Sequence, residues 1–579
     1  MKIKIVSLLM SACLLAATLS GCGGFSPSSS GSGTATQTSV ESSASSSSTV
    51  APTNDNNDEP SQIVEGSGTE PLETEATTEF PLCEEKETLT YFNEISTNLM
   101  NAYDDLNDAE AVKYLEELTN VHIDFTSFVS DNYIDQCTLM MASGDMTDII
   151  YTGAGSYPGG VSAAVEDEIV VDLNEYLEYA PHYSALLDEL PDVRRAVYTD
   201  EGYLPAFYSI YDENMRLNSG MIVRQDWLDA LELDIPVTYD DYHEVLTAFK
   251  NNYNCASPLL MGYNGMIGGD WLIAGYGVVG MLFATPFDNY MPYYVDDDEV
   301  KFGPMEKGYQ EYLTMMNQWY KEGLFSDKFL QDSNGNMMSA DYINQIIGGD
   351  VGMAVVATSS VEGLAANATD PSFELTGIAD AVKAEGDLVD FGPDTGRINA
   401  EMLSVSTCCE NIELAMKWID VGYTMEGAYV SNYGVEGYSY DIGPDGTPAF
   451  TDLVMSNENL TVTEAISVYT PRFMAGITIV SASDCLYTDK TFDAISAWGS
   501  NRSGEGTYPT LATMTADETT DFNTIWSDIA TVVTEATVKF ITGDRSLDEF
   551  DAFTAELEQM GIQECIDIKQ AAYDRYVNK

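Results

Sequence analysis

Apolar residues along this chain recur with two spacings, one typical of helices and one typical of strands. Residues 108–119 place Ala111, Val112, Leu115 and Leu118 on one helical face. The patterns predict strands over 87–93, 121–128 and 149–151, and helices over 108–119 and 133–142. The amino-terminal part of the body is therefore predicted to alternate strand and helix.

Helical patterns continue through the rest of the chain. Thr238 and Asp241 have the spacing of a helix capping box, and apolar residues follow them at helical spacing. Further helices are predicted over 171–179, 183–190, 309–322, 412–423, 521–541, 547–560 and 562–577. This alternation predicts an α/β fold in which helices cover largely parallel sheets.

The first 22 residues have the pattern of a bacterial export signal. Lys2 and Lys4 precede an apolar stretch, residues 5–19, that is too short to span a membrane as a mature helix. It ends in the motif LSGC at residues 19–22, which resembles the lipobox of bacterial lipoproteins. The resemblance implies that Cys22, the last residue of this 1–22 signal segment, is diacylated and becomes the first residue after cleavage. The alternative is a plain secretory signal with a chance cysteine.

Residues 23–85 are predicted to form a disordered tether. They are rich in Ser, Thr, Gly and Ala, and later in Pro and acid, so they have little apolar surface to bury. Such a spacer suits a protein that is held by lipid on the extracellular face of the cell membrane and projects into a cell wall. This favours a single-membrane bacterium. The folded body is predicted over residues 86–579.

The charge balance excludes several partners. The chain has 94 acidic and 24 basic side chains, for a formal net charge of −70. It therefore repels the phosphates of nucleic acids, and charge does not draw it to an anionic membrane. Because 44% of the residues are hydrophobic, the chain is expected to fold, with its acidic side chains on the surface of the folded body.

Few residues suit covalent or metal chemistry. Seven of the nine cysteines follow Cys22, and their odd number and scatter favour buried free thiols, with room for one disulfide. The three histidines are not paired at metal spacing, and there is no nucleophile elbow or phosphate-binding loop. The acidic stretches 332–336 and 296–299 fail the calcium-loop pattern. We therefore predict no metal, no cofactor and no catalytic residue.

Seven blocks of the sequence resemble the family 1 extracellular solute-binding proteins of ABC sugar importers. They are Ala142–Ile150 (ASGDMTDII), Val171–Asn174 (VDLN), Val223–Leu228 (VRQDWL), Trp319–Leu324 (WYKEGL), Asn432–Gly437 (NYGVEG), Lys539–Gly543 (KFITG) and Gln570–Asp574 (QAAYD). Their order and spacing are similar to those of the large lipoprotein branch, which includes binders of aldouronate and alginate oligosaccharides.

The resemblance implies a fold and a function. The fold is a two-lobe, periplasmic-binding-protein-like (type II) α/β fold with a hinge and an interlobe cleft, each lobe being discontinuous. The lobes are expected at roughly 86–220 plus a segment near 396–430, and at 221–395 plus 431–579. Many relatives carry a calcium-type loop where this chain has residues 249–258; the oxygen pattern is missing here, which puts that metal in doubt.

The function implied is capture of an extracellular oligosaccharide by lobe closure, as a monomer, and delivery to the permease subunits of an ABC transporter. The protein would then not be an enzyme. Two alternatives stay open: a surface-anchored glycan hydrolase or lyase, and a binder of peptides or other solutes with the same fold.

Candidate ligand-binding residues follow predicted strands or stand in glycine-rich segments, since ligands of open α/β sheets bind at the carboxyl ends of strands. Sugars also need aromatic platforms and directed polar groups. The candidates are Tyr151, Ser156, Tyr157, Asp270, Trp271, Ser359, Glu436, Tyr438, Arg472 and Trp498. Each aromatic residue has the alternative of a core position, which is what we expect for Trp227 and Trp319. Glu436 has the alternative of a helix cap, and Arg224 that of a structural role.

Overall fold

The computed structural model describes residue 72 and residues 74–579, apart from residues 254, 256, 262–269, 281–291, 327–328, 330–338, 392–395, 445, 471 and 510. The predicted signal peptide, Cys22, most of the predicted tether and the acidic stretch 332–336 lie outside the described residues.

The strands form close to where alternation predicts them. Residues 121–128 and 149–151 have the predicted bounds, and the first strand ends one residue later than predicted. The strands are β1 (Glu87–Glu94), β2 (Val121–Phe128), β3 (Ile149–Tyr151), β4 (Phe207–Tyr211), β5 (Ser219–Arg224), β6 (Ser257–Leu260), β7 (Tyr293–Asp296), β8 (Glu299–Phe302), β9 (Val351–Ala357), β10 (Leu375–Ile378), β11 (Ile398–Val405), β12 (Tyr440–Ile442), β13 (Pro448–Phe450) and β14 (Ile477–Thr478).

Two sheets organise the fold. The first has the order β14-β4-β11-β3-β1-β2 and the second has the order β10-β5-β9-β6, while β7-β8 and β12-β13 are separate hairpins. In the first sheet β11 is antiparallel to β3 and β4, and in the second β5 is antiparallel to β9 and β10. The prediction of largely parallel sheets is wrong for these pairs. Strands β5 and β11 each follow a crossing from the other sheet, so they begin at the edge where their neighbours end.

The helices cover both sheets. They are α1 (Thr97–Ala102), α2 (Glu110–Thr119), α3 (Ser130–Ser143), α4 (Gly153–Ser156), α5 (Gly160–Glu166), α6 (Pro181–Glu189), α7 (Pro191–Val197), α8 (Gln225–Leu231), α9 (Tyr239–Tyr253), α10 (Asp270–Ile273), α11 (Lys307–Lys321), α12 (Ala340–Ile347), α13 (Val361–Asn367), α14 (Ile412–Asp420), α15 (Met425–Tyr433), α16 (Asp452–Met455), α17 (Val462–Tyr469), α18 (Asp489–Gly499), α19 (Ala516–Thr542), α20 (Phe550–Met560) and α21 (Ile562–Val577).

Local signals explain several helix ends. The predicted capping box forms at α9, where Thr238 Oγ1 accepts the Asp241 N–H at 3.3 Å and the Asp241 carboxylate accepts the Thr238 N–H at 2.8 Å. Gly561 separates α20 from α21 with a φ of 97°, a left-handed conformation that favours glycine.

The two sheets have separate hydrophobic cores, which define two lobes. The core of the first lobe surrounds β1, β3, β4 and β11. In the second lobe, β5 alternates between two cores, since Met221 and Val223 enter the larger one and Ile222 enters the smaller one. Within the described residues the chain passes between the lobes at three places: between β4 and β5, between β10 and β11, and after β14.

The lobe boundaries differ from those predicted between residues 431 and 486. The sequence predicts residues 431–579 for the second lobe, but Ile477 of β14 pairs with Ile210 of β4 in the first sheet. Tyr433, Tyr440 and Phe473 pack in the first core as well. From α18 onward the chain belongs to the second lobe, because Ala494 and Trp498 pack in its smaller core.

The folded body also begins earlier than predicted. Residues at the end of the predicted tether pack on the first lobe, among them Leu72, Phe80 and Cys83. The Thr74 and Thr78 hydroxyls hydrogen-bond the two ring nitrogens of His182, at 2.8 and 3.0 Å. The described part of the tether is therefore held against α6 by side chains that the polar composition of the segment conceals.

Candidate functional site

Strand ends of the two sheets lie on the sides of the lobes that face each other. Because β1, β3, β4 and β14 are parallel to one another, their carboxyl ends share one edge of the first sheet. These ends are Glu94, Tyr151, Tyr211 and Thr478. In the second lobe, Ser359 follows β9 beside the start of β5, since Ala357 pairs with Ser219. The crossing from Tyr211 to Ser219 brings these two edges together, which is the usual position of ligands in α/β proteins.

A cavity of about 400 Å³, here called the hinge cavity, lies at the crossings and takes its lining from both lobes. Arg472 and Thr478 come from the first lobe, and Thr358 and Ser359 come from the second. The structure therefore brings the predicted residues Arg472 and Ser359 to one cavity. Arg216 of the first crossing also lines it.

A second and much smaller cavity of about 20 Å³, here called the strand-end cavity, lies at the edge of the first sheet and has room for about one water molecule. It is lined by Tyr151, Glu401, Met402, Asn432 and Arg472, among others. Burial raises the pKa of Tyr151 well above its ordinary value, as do the Glu401 and Glu94 carboxylates, while Arg472 acts in the opposite direction. The Tyr151 hydroxyl therefore keeps its proton and is able to donate a hydrogen bond.

A third cavity of about 280 Å³, here called the distal cavity, also has both lobes in its lining. The first lobe contributes Ser156 and Tyr208, and the second lobe contributes Tyr508 and Lys569. Met402 lines both the strand-end and the distal cavity, as Arg472 lines both the hinge and the strand-end cavity. The shared residues place the three cavities in a row, in which the small strand-end cavity separates the hinge cavity from the distal cavity.

Two residues of this row were missed by the sequence reasoning. Glu401 lies within β11, and its acidic side chain is one of 94 in the sequence, so it carries no distinctive signal. Lys569 does have a signal: Ile562, Cys565, Lys569 and Ala572 form the buried stripe of α21, so a lysine occupies an apolar position.

Trp498 is a core residue and does not line the interlobe row. Its side chain is 1% exposed, it packs in the smaller core of the second lobe, and its indole N–H donates to the Met221 carbonyl at 2.7 Å. A ring enclosed in this way has no face for stacking against a ligand. The prediction of Trp498 as a ligand platform is therefore corrected.

Glu436 and Tyr438 are exposed on the first lobe, away from the three cavities. They stand in the predicted unusual turn, where Gly434 has a φ of 88° and an added Cβ would lie 2.2 Å from the Ser439 hydroxyl. The Tyr438 ring meets Tyr469 edge-on, with 5.9 Å between centroids. The glycine-rich block thus shapes a turn, and the structure does not bring its two candidates to the cleft.

The three remaining candidates, Tyr157, Trp271 and Asp270, have different environments. The Tyr157 hydroxyl donates to the Asp167 carboxylate at 2.8 Å at an exposed position. Trp271 is half-buried in α10 and packs against the larger core of the second lobe. The side chain of Asp270 lies outside the described residues. A ligand role for these three stays a prediction.

The residues expected to be structural have that character. Trp227 and Trp319 are buried, as is Arg224, which is held by the Asp226 carboxylate. All seven cysteines of the body are free, four of them buried.

The described residues hold no group of three or more His, Cys, Asp or Glu able to bind a metal. Across the same part of the chain, no helix has the length and apolar character needed to cross a membrane.

The arrangement in the row of cavities is suited to binding a polar ligand. It combines the Glu401 carboxylate within β11, the Arg472 guanidinium, the Tyr151 phenol at the end of β3 and several hydroxyls, with aromatic rings nearby. Oriented polar groups beside aromatic faces are what recognition of hydroxyl-rich molecules needs.

Comparison with known proteins identifies the family. The family model for bacterial extracellular solute-binding proteins matches residues 97–429, more than half of the chain. This chain belongs to the bacterial extracellular solute-binding proteins. The family predicted from the seven sequence blocks is thereby confirmed.

Two curated relatives of this solute-binding protein cover much of its length. The fructooligosaccharide ABC transporter substrate-binding protein FusA of Streptococcus pneumoniae is 24% identical over 528 residues, covering 86% of this chain and 92% of FusA. Lipoprotein LipO of Bacillus subtilis is 26% identical over 359 residues, covering 60% of this chain and 67% of LipO.

Among solved structures, the solute-binding protein is similar to the alginate-binding protein AlgQ2 determined without calcium. The TM-score is 0.66 at 24% identity, and the match covers 85% of this chain and 99% of AlgQ2. This similarity confirms the predicted two-lobe, periplasmic-binding-protein-like α/β fold.

Proposed function

We propose that this solute-binding protein captures an extracellular oligosaccharide between its lobes and delivers it, unaltered, to an ABC importer. The observation that carries the proposal is the pair of cavities lined by both lobes, the hinge cavity of about 400 Å³ and the distal cavity of about 280 Å³. A single sugar unit would need one such cavity, whereas two cavities along the same interlobe edge suit a chain of sugars. The oligosaccharide-binding relative that matches 86% of this chain supports the same ligand class.

The sequence features outside the described residues fit this role. A lipid on Cys22 would anchor the protein at the extracellular face of the cell membrane, and the tether would let the monomeric body reach the permease subunits. The lipoprotein relative LipO supports such an anchor.

A ligand screen followed by calorimetry tests the proposal. Thermal shift is measured with neutral and acidic oligosaccharides and with peptides, since a ligand at 100 times its dissociation constant adds about 2.7 kcal/mol to the free energy of unfolding. The dissociation constant of a responding sugar is then measured for Arg472→Gln and Tyr151→Phe. Arg472→Gln should bind roughly ten- to hundredfold more weakly, because a hydrogen bond to a charged group contributes about 1.5–3 kcal/mol. Tyr151→Phe should bind about two- to tenfold more weakly, because a hydrogen bond between neutral groups contributes about 0.5–1.5 kcal/mol.

Arg194→Gln is the matched control, since Arg194 is an exposed arginine of the first lobe, on the surface helix α7. Equal loss in the control would contradict a binding role for Arg472. A sugar recovered in cleaved form would favour the alternative of a glycan hydrolase or lyase. A response to peptides alone would keep the fold and replace the ligand class.

A further inference from the structure

The distal cavity differs in charge from the rest of the molecule. Among the described residues that line it, Lys569 alone is charged and none is acidic. The whole chain has 94 acidic side chains and a net charge of −70. The described lining of this interlobe cavity therefore contains an ammonium and no carboxylate, in a protein that is strongly negative as a whole.

The Lys569 ammonium is buried and has no anionic partner. The residue is 5% exposed, and within the described part of the chain its Nζ forms neither an ion pair nor a hydrogen bond. Three aromatic rings surround it, with centroids 5.2 Å (Phe522), 5.3 Å (Tyr508) and 5.9 Å (Tyr293) from Nζ. Such rings offset only part of the cost of burying a charge without a counter-ion. A partner from outside the chain would complete this environment.

We propose that the distal cavity binds a carboxylate of the ligand against the Lys569 ammonium, so that the substrate is an acidic oligosaccharide containing uronic acid. This inference rests on the proposed function and names its substrate class. The carboxylate takes the position of the missing counter-ion, and the sugar ring that carries it lies beside the aromatic side chains around Lys569.

The size and the other polar groups of the cavity suit one sugar unit. Its volume of about 280 Å³ is just below the range of complete small-molecule sites, about 300–1,000 Å³. Thr513 Oγ1 is buried without a hydrogen-bond partner, and Thr513 and Asn523 both line the cavity. The remaining units of the ligand would extend from the distal cavity along the interlobe edge toward the hinge cavity.

Lys569 also couples ligand binding to the uptake of a proton. Burial lowers the pKa of Lys569 to about 8. The titratable groups that face it are Tyr293, Tyr508 and Cys565; burial raises the pKa of both phenols well above their usual range and that of the Cys565 thiol to about 11. At pH 8.5 these neighbours are neutral, and the lysine is mostly deprotonated. Binding of a carboxylate favours the charged form, so the complex takes up a fraction of a proton at pH 8.5 and less at pH 6.5.

Isothermal titration calorimetry on the purified protein tests this. The probes are the 1,4-linked trisaccharides of galacturonate, glucuronate, mannuronate and guluronate, each with its carboxyl-reduced neutral counterpart. Titrations at pH 8.5 in two buffers of different ionisation enthalpy give the number of protons taken up. We expect one acidic trisaccharide to bind at least tenfold more tightly than its neutral counterpart, with the predicted proton uptake.

The variant Lys569→Met separates the lysine from the rest of the site. It should bind the acidic trisaccharide about 30-fold or more weakly, lose the proton uptake at pH 8.5, and keep the affinity for the neutral counterpart. Its melting temperature without ligand should equal or exceed that of the parent, because an unpaired buried charge has been removed. Lys539→Met, at an exposed position of α19, is the matched control and should leave all of these unchanged.

Each outcome separates this inference from the proposed function. Binding of neutral sugars in preference to acidic ones overturns the carboxylate subsite and leaves the proposed function in place. If Lys569→Met does not weaken the binding of acidic trisaccharides, the carboxylate subsite is also contradicted. Failure of every sugar in this panel and in the neutral screen, with a folded protein, overturns the proposed function itself.

Discussion

The ammonium of Lys579, in the second lobe, lies 2.8 Å from the carboxylate of Asp200 in the first lobe. Arg575 pairs with Asp200 as well, and on its other side with Glu518 of the second lobe. The Asp200 side chain is 4% exposed, so these two cations compensate a buried charge. Arg575 and Lys579 thus link the second lobe to the first, next to the distal cavity.

Asp200→Asn should weaken this interlobe contact. Removing one partner of a buried, hydrogen-bonded charge pair costs about 2–5 kcal/mol, and the partial exposure of Arg575 reduces the expected loss to about 1–3 kcal/mol. The variant should melt at a lower temperature and have a larger radius of gyration in X-ray scattering. Asp192→Asn is the control, since that side chain is 92% exposed, and it should change neither quantity.

Trp498→Ala should destabilise the second lobe and leave ligand affinity unchanged. The loss of a buried tryptophan costs about 3–5 kcal/mol of the free energy of unfolding. The ring packs directly on the backbone, since a Cβ added at Gly220 would lie 2.3 Å from it. Denaturant unfolding measures the loss, and Phe492→Ala on the same helix, where the side chain is 36% exposed, should cost less. A weaker ligand complex with intact stability would restore Trp498 as a binding residue.

The buried Asp420 makes stability depend on pH. Its carboxylate accepts the backbone N–H groups of His182 and Tyr183, at 3.2 and 2.8 Å, yet burial raises its pKa to about 7. Because the pKa in the folded state lies above the unfolded value, the folded state binds the proton more tightly. This stabilising contribution is complete below about pH 4 and is lost as the pH rises through 7.

Chemical denaturation at pH 5, 6.5 and 8 checks this expectation. The free energy of unfolding of Asp420→Asn should fall less between pH 5 and 8 than that of the parent protein. Asp188→Asn, at a position 72% exposed on helix α6, controls for the substitution itself. Identical pH profiles of the parent and Asp420→Asn would show that this carboxyl does not titrate in that range.

Arg224→Lys should destabilise the protein even though it keeps the charge. The Arg224 guanidinium donates to both oxygens of Asp226, at 2.7 and 2.6 Å, and lies over the rings of Trp227 and Phe373, 4.3 and 4.4 Å from their centroids. A lysine cannot form the planar two-point contact or stack between two rings. We expect a loss of about 1–3 kcal/mol in the free energy of unfolding. An unchanged melting temperature would contradict the structural role assigned to Arg224.

Much of the secondary structure could be predicted from the sequence because its signals are local. The alternation in residues 121–128 and the Thr238–Asp241 capping pattern each lie within one element, and both appear in the structure. The antiparallel direction of β5 and β11 was not predictable in this way, since it depends on where the chain crosses between lobes.

The sequence by itself determined the family and the α/β class, through short blocks and periodicities that need no distant contact. Only the tertiary structure decided which side chains meet in the cleft. Trp498 bonds to Met221, 277 residues away, and that contact makes it core. Lys569 and Tyr208 line one cavity although they belong to different lobes. The burial of a side chain and the charge around it depend on segments far apart in the chain, and the spacing of residues within one segment does not contain that information.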